Sequence, residues 1–250
     1  MKKIICIMLL IFGCATERPA GKTEAEVIYK EAMQYMKDGH YLAATERLNL
    51  IRSKYPYSFY ATHAELLYAD ILYEQDNYVE AGAAYLLFRN IHPKHEKMNY
   101  VTFRIAESHY RQLPGSYDRD LTPAHEAIKY YNELLNSFGE SKYTKEAQKK
   151  IDKCKQMLRR KERYIADFYY KTGVYDSARY RYLDILKSYD VELLKDHSMI
   201  RVVRASSNLE EYKACVDYGQ EYLFQVTDKV RNTMEGLIKN CQTKLSTKKE

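Results

Sequence analysis

The chain has 250 residues, of which 46% are hydrophobic, with 26 Tyr, 7 Phe and no Trp, and only 9 Gly and 5 Pro. That composition describes a helical protein in which Tyr does much of the packing. The formal net charge of +6 is mild and its signs are interspersed, and Lys2 and Lys3 belong to an export segment, so the basic balance is too weak to suggest nucleic acid.

Met1-Lys2-Lys3 forms a charged n-region, and Ile4 to Phe12 forms an apolar stretch far shorter than the ~20 residues a spanning helix needs. This is a cleaved signal, residues 1–13. The run Leu10-Ile11-Phe12-Gly13-Cys14 resembles a bacterial lipobox, with a small Gly13 just before the Cys. The resemblance implies a mature chain that begins at Cys14, carrying a diacylglycerol on sulfur and an acyl chain on nitrogen. Each buried acyl methylene contributes ~0.8 kcal/mol, and stable anchoring needs more than one chain, which three supply. Ala15 stands where enteric bacteria place an Asp to mark inner-membrane retention, which implies the outer membrane. No other cofactor is expected. Residues 14–22, small, polar and broken by Pro19, read as a flexible tether.

Order is expected from Thr23, where Thr23 and Glu26 make a capping box. A first helix follows to Asp38-Gly39, and a second from about Tyr41 to Lys54 carries Ala44, Leu48 and Ile51 as its buried stripe, stopped by Pro56. Tyr41, Ala44 and Pro56 recur 37 residues later as Tyr78, Ala81 and Pro93, and Ala32, Ala69 and Ala106 share that period. The repeating unit is therefore two helices and a turn, so a repeat scaffold is expected rather than a single-core domain. These positions resemble the tetratricopeptide repeat, in which a small residue on each helix lets the pair approach while Tyr, Leu and Ile fill the gap. A third copy keeps Ala106 but reaches Ala127 through an insertion within residues 114–121, after which Thr122 is expected to cap and Pro123 to take the first helical turn. Residues 142–171 lack a breaker and read as one long helix, with Ala147, Ile151, Cys154, Leu158, Ile165 and Tyr169 on one stripe and Lys145, Lys149, Lys153, Arg159, Arg160 and Arg163 among its cations. Gly173, Tyr175, Ala178, Tyr182 and Ile185 restate the second helix of a pair. In a fifth pair, Ser207 and Glu210 are expected to form a capping box, and Val230 to Cys241 suit an amphipathic cap. The fold class is all-α, a right-handed superhelical solenoid of about five tetratricopeptide-like helix pairs. Its expected parts are repeats 1–3 over 23–139, repeats 4–5 plus the cap over 140–245, and a frayed tail at 246–250.

No sequence signal for catalysis emerges. The nine glycines are isolated, and no nucleophile elbow or His-Glu-x-x-His run is present. His92 and His95 flank a repeat terminator with no carboxylate or Cys at ligand spacing, so no metal is expected. Asp118, Arg119 and Asp120 read as a solvated loop. Cys154, Cys215 and Cys241 remain after the export segment, an odd number at spacings that match no metal pattern, and buried free thiols are expected. Tyr57, Tyr60 and Tyr68, with Tyr73, Tyr100 and Tyr110, are candidates to line a groove for an extended peptide, with core packing as the competing reading.

A lipobox followed by five such repeats is similar to the BamD (YfiO/ComL) lipoproteins of the outer-membrane β-barrel assembly machine. The stretches that carry the resemblance are Tyr55-Pro56-Tyr57-Ser58-Phe59-Tyr60, His92-Pro93-Lys94-His95 with Asn99-Tyr100, Arg119-Asp120 with Pro123-Ala124, and Ser141-Lys142-Tyr143. The resemblance implies a non-catalytic scaffold, lipid-anchored on the periplasmic face of the outer membrane, in the BAM complex. Its N-terminal repeats are expected to bind unfolded outer-membrane β-barrel proteins through their C-terminal strand signal. Its C-terminal repeats are expected to dock the POTRA domains of BamA and to hold other BAM lipoproteins. Arg181 is the residue the resemblance assigns to BamA, and it lies off the Ala178, Tyr182, Ile185 stripe. The alternative is a periplasmic tetratricopeptide lipoprotein that organises peptidoglycan or cell-division complexes.

Overall fold

The computed structural model describes residues 18–248. The signal peptide, Cys14 and the first residues of the tether lie outside the described residues, as do the last two residues. Among the described residues there are eleven helices and no strand: α1 Glu24–Lys37, α2 Tyr41–Lys54, α3 Phe59–Glu74, α4 Tyr78–Ile91, α5 Met98–Arg111, α6 Thr122–Phe138, α7 Thr144–Lys171, α8 Tyr175–Ser188, α9 Glu192–Asn208, α10 Tyr212–Leu223 and α11 Asp228–Thr247. None is long and apolar enough to cross a membrane. The chain forms two compact units, residues 1–108 and 109–250, divided within α5. The boundary at 139/140 separates whole repeats by expected partner, which is a different criterion.

Local chemistry explains the helix ends. Thr23 accepts from the Glu26 amide at 3.2 Å, while the Glu26 carboxylate accepts from the Lys22 amide at 2.9 Å, a capping box closed one residue early. The turn inside a pair needs a left-handed residue. Gly39 at φ 79° and Gly173 at φ 81° supply it, and Asp76 at φ 60° and Glu210 at φ 58° adopt it without being glycine. Two expected caps are corrected. The hydroxyl and amide of Thr122 both donate to Asp120, at 2.8 and 3.1 Å, so Asp120 supplies the capping carboxylate and Thr122 is already helical. Ser207 lies in the last turn of α9, and α10 starts only at Tyr212 after an uncapped Glu211, because the left-handed Glu210 ends the previous helix first.

The buried residues follow the expected small-residue rule. Ala32 with Ala44, Ala69 with Ala81, and Ala166 with Ala178 are fully buried, each pair twelve residues apart, and Val203 with Cys215 takes the same place in the fifth pair. In the first unit, Ile28, Ala32, Ala44, Leu48 and Ile51 pack with Ala61, Ala64, Leu67 and Ile71 of α3. In the second unit, Ala166, Tyr182, Ile185, Met199, Val202, Val203, Met234 and Cys241 share a core. The expectation of three free thiols is also corrected. Cys215 and Cys241 form a disulfide and Cys154 is buried outside it, because α11 folds back on α10 and brings together two cysteines 26 residues apart. The close approach of these helices is set at Gly219, where a Cβ would stand 2.5 Å from Ile238 Cγ1. The helix α11 continues to Thr247, beyond the end of its apolar stripe.

Candidate protein-binding surfaces

In the first unit the turn after Pro56 feeds directly into α3. Tyr57 is wholly exposed and Phe59 is 72% exposed, whereas Tyr60 and Tyr68 are half-buried against the core. Of the three candidate tyrosines, one therefore exposes its whole ring to a partner, and two pack inward and remain partly exposed. Tyr60 lies 5.5 Å from the Tyr29 ring.

The turn and the His92–His95 junction, far apart in sequence, come together. The Phe59 ring lies 4.2 Å from His63, and His63 lies 5.9 Å from His95. Phe88 lies under both His92 and His95, at 4.8 and 5.1 Å. Phe59, Thr62, His63, His92, Pro93 and His95 line a cleft of about 450 Å³. His92 Nε2 is 2.8 Å from Glu65 Oε2, so its partner is a carboxylate on α3. Burial, and then the neighbouring His63, push the His95 imidazole below its ordinary value. Among the described residues no group of three His, Cys, Asp or Glu side chains is arranged to hold a metal ion. The cleft is an aromatic and imidazole surface that suits stacking and hydrogen bonding.

Other tyrosines serve two half-buried carboxylates, which the sequence does not announce. Asp70 on α3 accepts from Tyr85 at 2.5 Å and from Tyr100 at 2.6 Å, and Arg104 Nε donates to the Tyr100 hydroxyl at 2.9 Å. The Arg104 guanidinium lies 4.2 Å over the Tyr73 ring. In the second unit, Asp167 on α7 accepts from Tyr182 at 2.6 Å and from His197 at 2.8 Å, and the Arg201 guanidinium lies 4.2 Å over Tyr170. Each residue of the second set stands 97 positions after its counterpart, with His197 in place of Tyr100. That offset is the signal that would have found them, and the insertion within 114–121 hides it. Tyr73 and Tyr100 are thus structural, and Tyr110 packs against Tyr131 under the Lys150 ammonium.

Arg181 projects from α8 with 40% of its side chain exposed, and its nearest carboxylate, Glu162 on α7, is 4.0 Å away. An ion pair this long and this exposed contributes almost nothing, so most of the guanidinium fork remains open. Its chain neighbour Tyr180 is 69% exposed, an aromatic ring outside the N-terminal repeats where the candidate tyrosines lie. In the insertion, Asp118 accepts from Ser116 and Asp120 caps α6, so both carboxylates hold the loop in shape.

The model of the outer membrane lipoprotein family YfiO matches residues 22–218. The chain is 28% identical over 236 residues to the outer membrane protein assembly factor BamD of Neisseria gonorrhoeae, which covers 87% of this chain and 88% of that protein. It is 30% identical over 208 residues to the BamD of Neisseria meningitidis serogroup A, covering 76% and 78%. Against the BamD of Vibrio cholerae the identity is 26% over 190 residues, covering 72% and 79%. Among solved structures, a complex of the TPR2AB domain of yeast Sti1 aligns with a TM-score of 0.46 at 13% identity, covering 91% of this chain and 89% of that one.

Proposed function

We propose, from the premise that this chain belongs to the YfiO family of outer membrane lipoproteins, that it is a non-catalytic assembly factor for outer-membrane proteins within a BAM complex. The family match over residues 22–218 is the observation that carries this reading. Lipids on Cys14 anchor the chain to the periplasmic face of the outer membrane, with residues 15–22 as a tether. The N-terminal repeats receive unfolded β-barrel proteins, and the exposed Tyr57 and Phe59 beside the His63–His95 cleft supply ring surface for an extended segment. Tyr60 and Tyr68 support that surface from below. The C-terminal repeats dock a BamA-type barrel through its POTRA domains and hold the other BAM lipoproteins. Arg181 supplies a charged fork for a partner carboxylate.

Helix pairs of this kind suit the role because every pair exposes one side of two rigid helices to a partner while burying the other. Depletion tests the reading. Loss of the protein is expected to lower the level of folded β-barrel proteins in the outer membrane, and unchanged barrel levels would overturn it. For the anchor, Cys14→Ser is expected to release the protein into the soluble periplasmic fraction. Full retention in the membrane fraction would contradict lipidation at that position.

A further inference from the structure

The 97-residue correspondence sets α3 against α7 residue by residue, with Ala69 and Asp70 matching Ala166 and Asp167. In α3, Ala61, Ala64, Leu67 and Ile71 are buried beneath α1 and α2. The same positions in α7 are Leu158, Lys161, Tyr164 and Phe168. Tyr164 is 46% exposed and Phe168 is 54% exposed. Helix length accounts for the difference. The 28 residues of α7 extend about 16 Å beyond the 17 of α6, at ~1.5 Å per residue, and its fully buried residues are Ala147, Ile151 and Cys154 in the first half and Ala166 alone in the second.

The insertion loop partly closes this uncovered end. The Tyr117 ring stands 5.8 Å from Tyr164, edge to face, and Lys161 Nζ donates to the Arg119 carbonyl at 2.7 Å. Between Tyr117 and α7 lies a cleft of about 630 Å³ lined by Arg160, Arg163, Tyr164, Phe168 and Lys171. Arg160, Tyr164 and Phe168 follow one another at intervals of four residues, so they form a single ridge along the helix. Arg160 and Lys171 have no ion-pair partner among the described residues. The only carboxylate at the cleft is that of Asp167, and it already accepts from Tyr182, His197 and Arg163, the last at 3.3 Å.

We propose that this face of α7 is a docking surface for an acidic amphipathic helix of a partner protein. A helix fits because helices cover the matching face of α3, where apolar side chains fill the same positions. Acidity fits because the exposed rings are flanked by Arg160 and Lys171, which no carboxylate at the cleft neutralises, while Arg163 is paired with Asp167. The surface is separate from the one at Arg181. Glu162, the nearest carboxylate to Arg181, lies roughly 200° around α7 from Arg160 at 3.6 residues per turn.

Site-specific photocrosslinking on the full-length, membrane-anchored chain tests the proposal, with p-benzoylphenylalanine at Phe168 and the attached peptide sequenced by mass spectrometry. The expected product is a protein segment with net negative charge and apolar residues at intervals of three and four. Its yield should fall at least tenfold in the Arg160→Glu/Lys171→Glu double variant and be unchanged in Arg181→Glu. Circular dichroism of the double variant is expected to match wild type, because both side chains are on the surface. Absence of a protein crosslink would overturn the proposal. So would attachment to lipid, to a second copy of this chain or to a neutral or basic segment, and so would a yield insensitive to the charge reversal. Loss in Arg181→Glu alone would assign the contact to the other surface and also overturn it.

Discussion

Asp70 in the first unit and Asp167 in the second occupy the same place in their helix pairs, each bonded by a tyrosine 15 residues on, yet they have opposite electrostatic fates. Burial pushes the Asp70 carboxyl above its ordinary value, because two neutral tyrosine hydroxyls and the more distant Arg104 do not offset the loss of water. Burial acts the same way on Asp167, but the hydrogen bonds from His197 and Tyr182 and the nearby Arg163 outweigh it and hold the carboxyl well below the carboxylate range. The contrast has two sources, the deeper burial of Asp70 and the donor His197 that stands at Asp167 where the first unit has Tyr100. The same architecture therefore tolerates either a network in which burial of the carboxylate wins or one in which its hydrogen bonds win.

The largest expected difference between the units is covalent. Only the second unit, among the described residues, has a disulfide, and closing a loop across 26 residues stabilises by about 3.5 kcal/mol through lost unfolded-state entropy. Reduction with dithiothreitol is therefore expected to raise hydrogen exchange across α10 and α11 by that free energy while leaving α1 to α4 unchanged. Equal protection with and without reductant would show that the bond adds nothing to the packing at Gly219 and Ile238.

The carboxylates come next. Asp167→Asn removes the charge from bonds donated by His197 and Arg163 and is expected to cost about 1.5–3 kcal/mol in urea unfolding at pH 7. Asp70→Asn keeps an acceptor for both tyrosines and removes the burial cost of the charge, so its effect is expected to stay within about 1 kcal/mol of zero. The pH dependence has opposite signs. The Asp167 contribution is present above the ordinary carboxylate value of about 3.9 and is lost as pH falls through its depressed folded value. The Asp70 contribution grows as pH falls through its raised folded value and is lost again as pH rises. Each Asn variant should flatten the acid dependence of its own unit, and equal costs for the two variants would remove the contrast.

Much of the repeat pattern is legible because it is local. Gly39, Ala44 and Pro56 each act within one turn of helix, so their spacing alone defines a pair. The two networks are not local. Asp70 meets Tyr100 across 30 residues, and as a polar residue after Ala69 it reads as solvent-facing. Ala166, the small residue twelve before Ala178, goes unnoticed because the insertion and the longer α7 break the 37-residue period. The tyrosines show the same limit in reverse. Tyr57 and Tyr60 are the same residue type three positions apart, and only the turn geometry decides that one is exposed and the other half-buried. The odd cysteine count conceals Cys215 and Cys241 for a related reason, since pairing depends on where α11 folds back.

The smallest expected effect concerns the left-handed turn residues. Gly39 and Gly173 adopt that conformation without strain, whereas Glu210 holds it with a Cβ and gains only an exposed contact from Lys248 at 3.3 Å. Glu210→Gly is expected to stabilise the second unit by about 0.5–1 kcal/mol, read as a higher urea midpoint. A lower midpoint would mean that the Lys248 contact matters more than the backbone.

The assembly role rests most directly on what the second unit binds. Affinity capture from detergent-solubilised envelopes, with wild type and Arg181→Glu compared, is the decisive measurement. The wild-type chain is expected to bring down a BamA-type barrel with POTRA domains, and Arg181→Glu is expected to recover at least tenfold less at unchanged helicity. Capture without such a barrel would contradict the assembly reading, and equal recovery by the variant would remove Arg181 from the interface.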